Sequence, residues 1–332
     1  MHLDLSQLTG INNLDQLSRF FGLTTKQFQD FRTHQSKFIY QGSLSKRSGG
    51  VRTVYFVQDD GFRNFLKILT LMLSEFYIPP DCVHGFVVSR SIVTNAQQHT
   101  RKKLLLNLDI KSFFESIKID KVEAIFVEIG FKKEHASILS KLVTVDGVLA
   151  TGFSTSPVLA NIVSRQMDNE LEKLCNAHNA IYTRYADDLS ISSDATLPSM
   201  ADVTSILASN DFLVNEHKCK LSRRGGCQYV TGLTVCDSVP RLSKRLKRNI
   251  RLELYYIRKY GLNEHVDRTS KISRFVDLIP SREGITGYVA YINSVEPKFA
   301  NFIKQSLIRP SPGLMARVDD SDSALHFITE EK

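Results

Sequence analysis

The chain has 332 residues, 42% of them hydrophobic and 23% charged, a composition typical of soluble globular proteins and sufficient for two or three subdomains. Lys and Arg number 43 against 35 Asp and Glu, and the formal net charge of +8 favours an anionic partner such as nucleic acid. The five cysteines form no C-x-x-C pair and no apolar run could span a membrane, which argues against disulfide, zinc and membrane proteins and predicts a cytoplasmic location.

The first elements are predicted from hydrophobic periodicity. Residues 1–36 have the apolar stripe of amphipathic helices with a break at Gly22, a layout also similar to a DNA-binding helix-turn-helix. Because that layout is common by chance, we expect these helices to pack against the body of the protein. Residues 38–57 then predict a β-hairpin around the turn KRSGG, and residues 61–77 predict a helix that ends before Pro79.

The central part of the chain predicts an α+β sheet domain. The apolar run LLLNLDI at residues 104–110 is typical of a strand buried on both faces. A long amphipathic helix at residues 161–178 precedes a β-hairpin at residues 181–194, and another helix leads to a strand at residues 229–235. This β-α-β-β-α-β order predicts an open sheet with helices on one face, and the chain becomes basic and helical from about Val239.

Three aspartates of this part are candidate metal ligands. Asp109 lies near the end of the buried strand, and Asp187 and Asp188 lie side by side at the hairpin tip. If the two strands are neighbours, the carboxylates converge, and their repulsion would raise their pKa values unless cations bind. Such ligands suit two Mg²⁺ ions, or Mn²⁺ instead, acting on a phosphate substrate. The alternative is aspartates that serve the turn alone.

Five motifs resemble those of reverse transcriptases, in the order found in that family. YADD at residues 185–188 is similar to the catalytic motif, and LNLDIKSFFESI is similar to the motif with the first metal-binding aspartate. KRSGGVRTVY resembles the fingers motif that holds the incoming triphosphate, TGFSTSPVLANI resembles the motif that ends in S-P, and LVNEHKCKL resembles the motif that follows the active site. The resemblance covers about residues 35–295 and implies an RNA-directed DNA polymerase.

Two shorter motifs favour a bacterial retron enzyme over group II intron or diversity-generating relatives. NAQQH at residues 95–99 resembles the N-A-x-x-H signature of retron reverse transcriptases, and VTG at residues 230–232 resembles their triplet near the thumb. The resemblance implies a cognate structured noncoding RNA, priming from a guanosine 2′-OH, and a branched multicopy single-stranded DNA. It also implies an effector protein and a role in defence against phage.

The resemblance implies a right-hand polymerase with a ferredoxin-like palm sheet and a helical thumb. The expected division is a helical segment at residues 1–36, fingers at 37–102, palm at 103–237 with a fingers insertion at about 118–148, and thumb at 238–332.

The resemblance also implies roles at the catalytic centre. Asp109 and Asp187 would ligate both metal ions, with the backbone carbonyl of Ile110 nearby, and Asp188 would complete the cluster. Lys218 would protonate the departing pyrophosphate as a general acid, and an exposed lysine without a catalytic role is an equal alternative.

Deoxynucleoside triphosphates would contact the fingers and the palm. Lys46 and Arg52 would bind triphosphate oxygens, unless they are incidental charges of a solvated turn. Phe114, five residues after Asp109, would be the steric gate that collides with a ribose 2′-OH, whereas Phe113 would belong to the core.

The T-G-F-S stretch departs from the family pattern. Thr151 replaces the glutamine common in viral and intron enzymes, and Ser154 replaces a frequent proline. Position 151 would line the nucleotide site, so the departure concerns template or nucleotide contacts. Gly152 remains and would allow the backbone to approach the substrate closely.

Bound RNA is expected to contact a basic helix at residues 241–260. This stretch has eight Lys or Arg against one Glu, with an apolar stripe that should pack inward and leave the charges for phosphates, unless they are merely solvated. Tyr255 or Tyr256 would be available for stacking. The predicted contacts are Arg241, Lys244, Arg245, Lys247, Arg248 and Arg251. Asn95 and His99 are further candidates, although a lone His is more often structural.

Two other functions remain open. One is a bacterial reverse transcriptase of defence or retrohoming that is primed by a 3′-OH or by protein. The other is an RNA-binding scaffold that restrains a toxic partner, against which the three aspartates argue, because their mutual repulsion is unnecessary without metal.

Overall fold

The computed structural model describes residue 8 and residues 10–45, 49–261 and 282–308. The chain divides into two compact units, Met1–Arg223 and Arg224–Lys332. The helices of the first unit are α1 Leu14–Phe20, α2 Thr25–Thr33, α3 Asp60–Phe76, α4 Ile92–Gln97, α5 Phe113–Ser116, α6 Ile119–Ile129, α7 Lys133–Val143, α8 Ser156–Val163, α9 Arg165–Ala177 and α10 Met200–Ser209. Its strands are β1 Ile39–Ser45, β2 Val51–Val57, β3 Leu104–Asp109, β4 Thr144–Val145, β5 Val148–Leu149, β6 Ile181–Tyr185, β7 Asp188–Ser193 and β8 Lys220–Arg223.

The N-terminal helices pack into the core of the first unit. Helix α2 begins at a capping box in which Thr24 accepts a hydrogen bond from the backbone N–H of Gln27 and the Gln27 side chain bonds back. Phe28 of α2 is fully buried, and the Phe21 ring after α1 meets Phe65 of α3 edge to face with centroids 5.2 Å apart. The prediction that this segment packs against the body of the protein is confirmed.

The expected hairpin and the following helix are present. Strands β1 and β2 pair antiparallel from Ile39 opposite Val57 to Ser45 opposite Val51, which agrees with the predicted turn position. Helix α3 begins after Asp59, whose carboxylate accepts a hydrogen bond from the N–H of Phe62, and it ends at Phe76, before the prolines. Its apolar stripe is buried.

A four-stranded antiparallel sheet lies at the centre of this unit, in the spatial order β6-β7-β3-β8. In chain order these strands are the second, third, first and fourth, separated by helices as a β-α-β-β-α-β fold requires. Strand β3 is buried along most of its length, as predicted. The α+β fold class is therefore confirmed.

Two predicted elements of the sheet region were wrong. The long helix expected at residues 161–178 is divided into α8 and α9 at Ser164, whose hydroxyl bonds the carbonyl of Ala160 one turn earlier. The fourth strand is β8, whereas residues 229–235 form a tight hairpin of the second unit. Thr231 (φ 46°) and Gly232 (φ 83°) occupy its two-residue turn, because such turns require positive φ.

A buried polar network lies beneath the β6–β7 hairpin. The guanidinium of Arg184 in β6 binds both carboxylate oxygens of Asp168 in α9 at 2.8 and 2.7 Å, and neither side chain is exposed to solvent. Tyr182 donates a third hydrogen bond to Asp168 at 2.8 Å. Arg184 also donates to Asn161 of α8 at 3.0 Å and to the carbonyl of Ala186 at 3.3 Å. The network thus joins two helices to the hairpin turn.

Among the residues that the structure describes, the second unit has a small sheet and three helices. Its strands are β9 Tyr229–Val230, β10 Leu233–Thr234 and β11 Arg241–Leu242, and its helices are α11 Lys244–Tyr260, α12 Arg282–Val295 and α13 Pro297–Ile308. Ile250, Leu254, Val289, Ile292 and Ile303 are buried along an apolar seam between these helices. Among the described residues, no helix is both long and apolar enough to cross a membrane.

The buried ion pair leads to a prediction about stability. Replacement Asp168→Ala should lower the free energy of unfolding by about 3–5 kcal/mol, because it leaves the Arg184 charge buried without its carboxylate partner. Urea denaturation of the purified protein measures this change. The matched control is Glu128→Ala, which breaks the exposed ion pair with Arg165 and should cost about 1 kcal/mol or less. Equal losses in the two variants would contradict the expectation.

Candidate active site

Three carboxylates lie at the same end of two paired strands. Asp109, the last residue of β3, is directly opposite Asp188, the first residue of β7. Asp187 lies in the turn before β7, and its carbonyl accepts a hydrogen bond from the N–H of Ile110 at 2.9 Å. Ala186 adopts a positive φ of 57°, so a strained turn presents the aspartates. The strand pairing expected from the sequence is present.

Asp109 is bound on its other side by the segment before β8. Lys218 Nζ lies 2.6 Å from Asp109 Oδ1, and Asn215 Nδ2 lies 3.2 Å from Asp109 Oδ2. The backbone N–H of Asn215 donates to the Asp109 carbonyl at 2.8 Å. The hydrogen bond to Asp109 raises the pKa of Lys218, so the lysine is a charged counter-ion that can donate a proton. No role is predicted for Asn215 from the sequence, although it lies in the motif LVNEHKCKL.

The electrostatics show that the aspartates repel one another. Loss of surrounding water, followed by the charges of Asp187 and Asp109, raises the pKa of Asp188 to about 6, although part of its surface remains exposed. Burial likewise raises the pKa of Asp187, and the charge of Asp109 adds to the effect. The positive charges of Lys218 and Arg52 act in the opposite direction on Asp187, which places Arg52 of β2 within electrostatic range of the site.

The donor set fits a hard divalent cation. A nearby cation stabilises the charged form of carboxylates whose pKa is raised, as that of Asp188 is. The Lys218 ammonium is already such a cation for Asp109. Within the described ranges, no group of three His, Cys, Asp or Glu side chains is arranged to hold a metal ion. Asp109, Asp187 and Asp188 are the residues that would hold Mg²⁺, and Lys218 would share Asp109 with it.

The two phenylalanines after Asp109 have different environments. Phe113 is buried, with its ring 5.8 Å from the Arg184 guanidinium and 5.6 Å from the Phe212 ring, as expected for a core residue. Phe114 is half-buried, and its ring lies 6.1 Å from that of Phe86, a residue that the sequence did not indicate. The role of Phe114 as a gate stays a prediction.

The T-G-F-S stretch packs against the β1–β2 hairpin. The carbonyl of Thr151 accepts a hydrogen bond from the N–H of Tyr55 in β2 at 2.8 Å. Gly152 has φ 111°, and a Cβ there would lie 2.3 Å from the Tyr55 carbonyl oxygen. The glycine is therefore required by the approach of β2, a different reason from the expected approach of substrate. Ser154 accepts a hydrogen bond from Thr70 of α3 at 3.1 Å.

Of the two residues predicted to bind the triphosphate, the structure describes only Arg52. Arg52 is exposed, and Lys46 lies outside the described residues, so its role stays a prediction.

The prediction that Asn95 and His99 contact RNA is wrong for these side chains. His99 is fully buried, and its ring nitrogens bond Thr183 of β6 and Ser192 of β7, each at 2.7 Å. Asn95 is 1% exposed, and neither atom of its amide has a hydrogen-bond partner among the described residues. The N-A-x-x-H segment instead packs against the β6–β7 hairpin, to which His99 is hydrogen-bonded.

The basic helix of the second unit, α11, has an apolar and a charged side. Leu242, Ile250 and Leu254 of the predicted stripe are buried. Exposed basic residues of α11 include Lys244, Arg245, Arg248 and Arg251, and Arg241 is exposed in the preceding strand β11. Arg241 is paired with Asp237, and the Arg251 guanidinium lies 5.2 Å from the Phe299 ring.

Lys247 differs from the other basic residues predicted to contact RNA, because it is mostly buried and ion-paired. Its Nζ lies 2.6 Å from Glu296 Oε2, and both side chains are only 18% exposed, so its charge is neutralised inside the unit. Tyr255 and Tyr256 are exposed, as stacking would require.

Comparison with known proteins identifies the family. The model of the family "Reverse transcriptase (RNA-dependent DNA polymerase)" matches residues 44–245. The Retron Ec73 reverse transcriptase of Escherichia coli is 32% identical over 281 residues, which cover 77% of this chain and 83% of that protein. This chain belongs to the reverse transcriptase family. It shares the right-hand polymerase fold of these RNA-dependent DNA polymerases.

Other relatives of this reverse transcriptase are also retron enzymes. The Retron Mx65 reverse transcriptase of Myxococcus xanthus is 30% identical over 280 residues, 78% of this chain but only 61% of that protein. The Retron Ec86 reverse transcriptase of Escherichia coli is 29% identical over 299 residues, 87% of this chain and 91% of that protein. The reverse transcriptase is thus of the bacterial retron type, and Asp109, Asp187 and Asp188 lie within the matched region.

The buried His99 predicts how the stability of the reverse transcriptase changes with pH. Burial, together with the charges of His84 and Lys102, lowers the pKa of His99 from 6.5 to about 3. The unfolded chain therefore binds a proton that the folded chain excludes, so stability is complete above pH 6.5 and falls as the pH drops towards 3.

Variant His99→Gln should lose less stability between pH 7 and pH 4 than the original protein, as measured by urea denaturation at several pH values. The matched control is His34→Gln, which replaces an exposed histidine in the same way. A wild-type slope in His99→Gln would show that His99 is not the titrating group.

Proposed function

We propose that this RNA-dependent DNA polymerase reverse transcribes a cognate structured noncoding RNA, primed from a guanosine 2′-OH, into branched multicopy single-stranded DNA. The observation that carries the proposal is the convergence of Asp109, Asp187 and Asp188 at the end of the β3–β7 pair, with Arg52 in electrostatic range. Similarity to retron reverse transcriptases over most of the chain supports the choice of RNA and product.

The chemistry at this site is phosphoryl transfer to a sugar hydroxyl. Two divalent cations held by the three aspartates would lower the pKa of the attacking hydroxyl and neutralise charge on the phosphates. Arg52 would hold the triphosphate of the incoming deoxynucleotide, since a guanidinium matches phosphate geometry. Lys218, charged and bound to Asp109, would protonate the departing pyrophosphate, and Phe114 would exclude a ribose 2′-OH.

Recognition of the RNA is assigned to the second unit. The exposed charges of Lys244, Arg245 and Arg248 lie along one helix and would contact phosphates, and Tyr255 and Tyr256 would stack on exposed bases. Such contacts suit structured RNA, whose shape and loops are what proteins recognise.

The biological setting is proposed from the same similarity. A retron enzyme and its hybrid would act with an effector protein in defence against phage. A cytoplasmic location fits the five cysteines, all of which are free thiols.

The double substitution Asp187→Asn with Asp188→Asn tests the function. It should abolish DNA synthesis in cells that express the gene with its native flanking DNA, because the charges that hold the cations are removed. Total nucleic acid is run on a denaturing gel before and after RNase and debranching enzyme. A short DNA that requires both aspartates and shifts on debranching is the expected result.

Two other gel results would change the proposal. DNA made by the double variant would overturn the metal assignment. A DNA that requires the aspartates but ignores debranching would indicate priming by a 3′-OH or by protein. RNA binding by the double variant, measured by filter retention, should stay near that of the original protein.

The basic helix leads to a separate prediction. The double substitution Arg245→Ala with Arg248→Ala should weaken binding of the RNA transcribed from the flanking DNA, and the slope of log K against log salt should become shallower by about 2. Titrations at several salt concentrations measure both quantities. Lys247→Ala is the control, because its charge is already paired with Glu296, and it should lower thermal stability while leaving the slope unchanged.

A further inference from the structure

Phe86 has a backbone conformation that its residue type disfavours. Its φ is +60°, in the left-handed region where a Cβ is crowded and glycine is the unstrained choice. Its side chain is also 48% exposed, so the ring does not compensate for the strain by full burial in the core. An exposed aromatic ring held on a strained backbone points to a function of the ring itself.

The chain around Phe86 is fixed against the catalytic hairpin. The backbone N–H groups of His84 and Gly85 donate to the carbonyl of Arg184 at 2.8 and 3.4 Å, and Asn161 Nδ2 donates to the carbonyl of Gly85 at 3.0 Å. A Cβ on Gly85 would lie 2.4 Å from the backbone nitrogen of Ala186. The backbone preceding Phe86 is therefore pressed against the turn that presents Asp187.

The ring of Phe86 lies beside that of Phe114. Their centroids are 6.1 Å apart and the planes are inclined at 49°, an arrangement within the range of favourable aromatic pairs. Phe114 also contacts Phe113, with centroids 5.5 Å apart. The ring of Phe114 thus has a buried ring and an exposed ring as neighbours, and removal of Phe86 would take away the exposed one.

We propose that Phe86 is a specificity-determining residue, which supports Phe114 and with it forms an apolar wall beside the sugar of the incoming nucleotide. This inference rests on the proposed role of Phe114 as the gate. A ring that can tilt away admits a 2′-OH, whereas a ring packed against two others excludes it. Phe86 thereby increases discrimination between deoxynucleoside and ribonucleoside triphosphates.

The test compares single-nucleotide incorporation of a deoxynucleoside and a ribonucleoside triphosphate on a primed RNA template. Phe86→Ala should lower the ratio of the two kcat/KM values about tenfold, mainly through a lower KM for the ribonucleotide, because a clash in the pocket is relieved. Phe86→Tyr, which keeps a ring, should retain the original ratio. Val88→Ala is the matched control in the same loop, since Val88 is 90% exposed, and it should change nothing.

A further variant separates the ring from the backbone strain. Phe86→Gly removes the ring and relieves the positive φ, whereas Phe86→Ala removes the ring and keeps the strain. Both should lose discrimination equally, while thermal melting should show the glycine variant to be the more stable one. Loss of discrimination that follows stability instead of the ring would overturn the proposal.

Phe114→Val distinguishes this inference from the proposed function. If Phe114→Val loses discrimination and Phe86→Ala does not, the gate stands and the role of Phe86 is refuted. If neither variant loses discrimination while both make DNA, the gate and its support are both refuted, although polymerase activity stands. Should Phe86→Ala fail to fold, Phe86→Leu replaces it, with the same expected direction and the same refuting result.

Discussion

The buried ion pair between Arg184 and Asp168 is the interaction on which the β6–β7 hairpin depends. Two charges without solvent exposure are tolerated only as partners, so the position of each fixes the other. Through the same guanidinium, α8 and the carbonyl of Ala186 are joined to this pair. The turn that presents Asp187 is therefore held by hydrogen bonds of the Arg184 guanidinium, which is not exposed to water.

The carboxylates that this turn presents lack such compensation. The charges of Arg184 and Asp168 neutralise each other, whereas Asp187 and Asp188 have raised pKa values and remain without a full countercharge. Lys218 forms its direct ion pair with Asp109. A site with mutually repelling carboxylates would gain free energy from bound cations, because they would supply the missing countercharge.

Local patterns predicted what local physics determines. The buried strand β3 follows from a continuous apolar run and the hairpin of Asp187 from alternation and turn chemistry, and both are present. The fourth strand, β8, was missed because it is short and mostly exposed, so it lacks an apolar alternation. Asp168 could have been found, since it shares a helix face with the buried Leu171. The pairing of Lys247 with Glu296 joins distant parts of the sequence, which no local pattern records.

Gly85 has a consequence for how such an enzyme can vary. Its missing side chain is the space that the backbone of Tyr185 and Ala186 occupies, with Cβ distances of 3.2 Å and below. Any substitution there would push the turn of Asp187 without touching a catalytic atom. Sequence libraries built to alter nucleotide choice should therefore hold this position constant and diversify Phe86, the residue after it, whose side chain is 48% exposed.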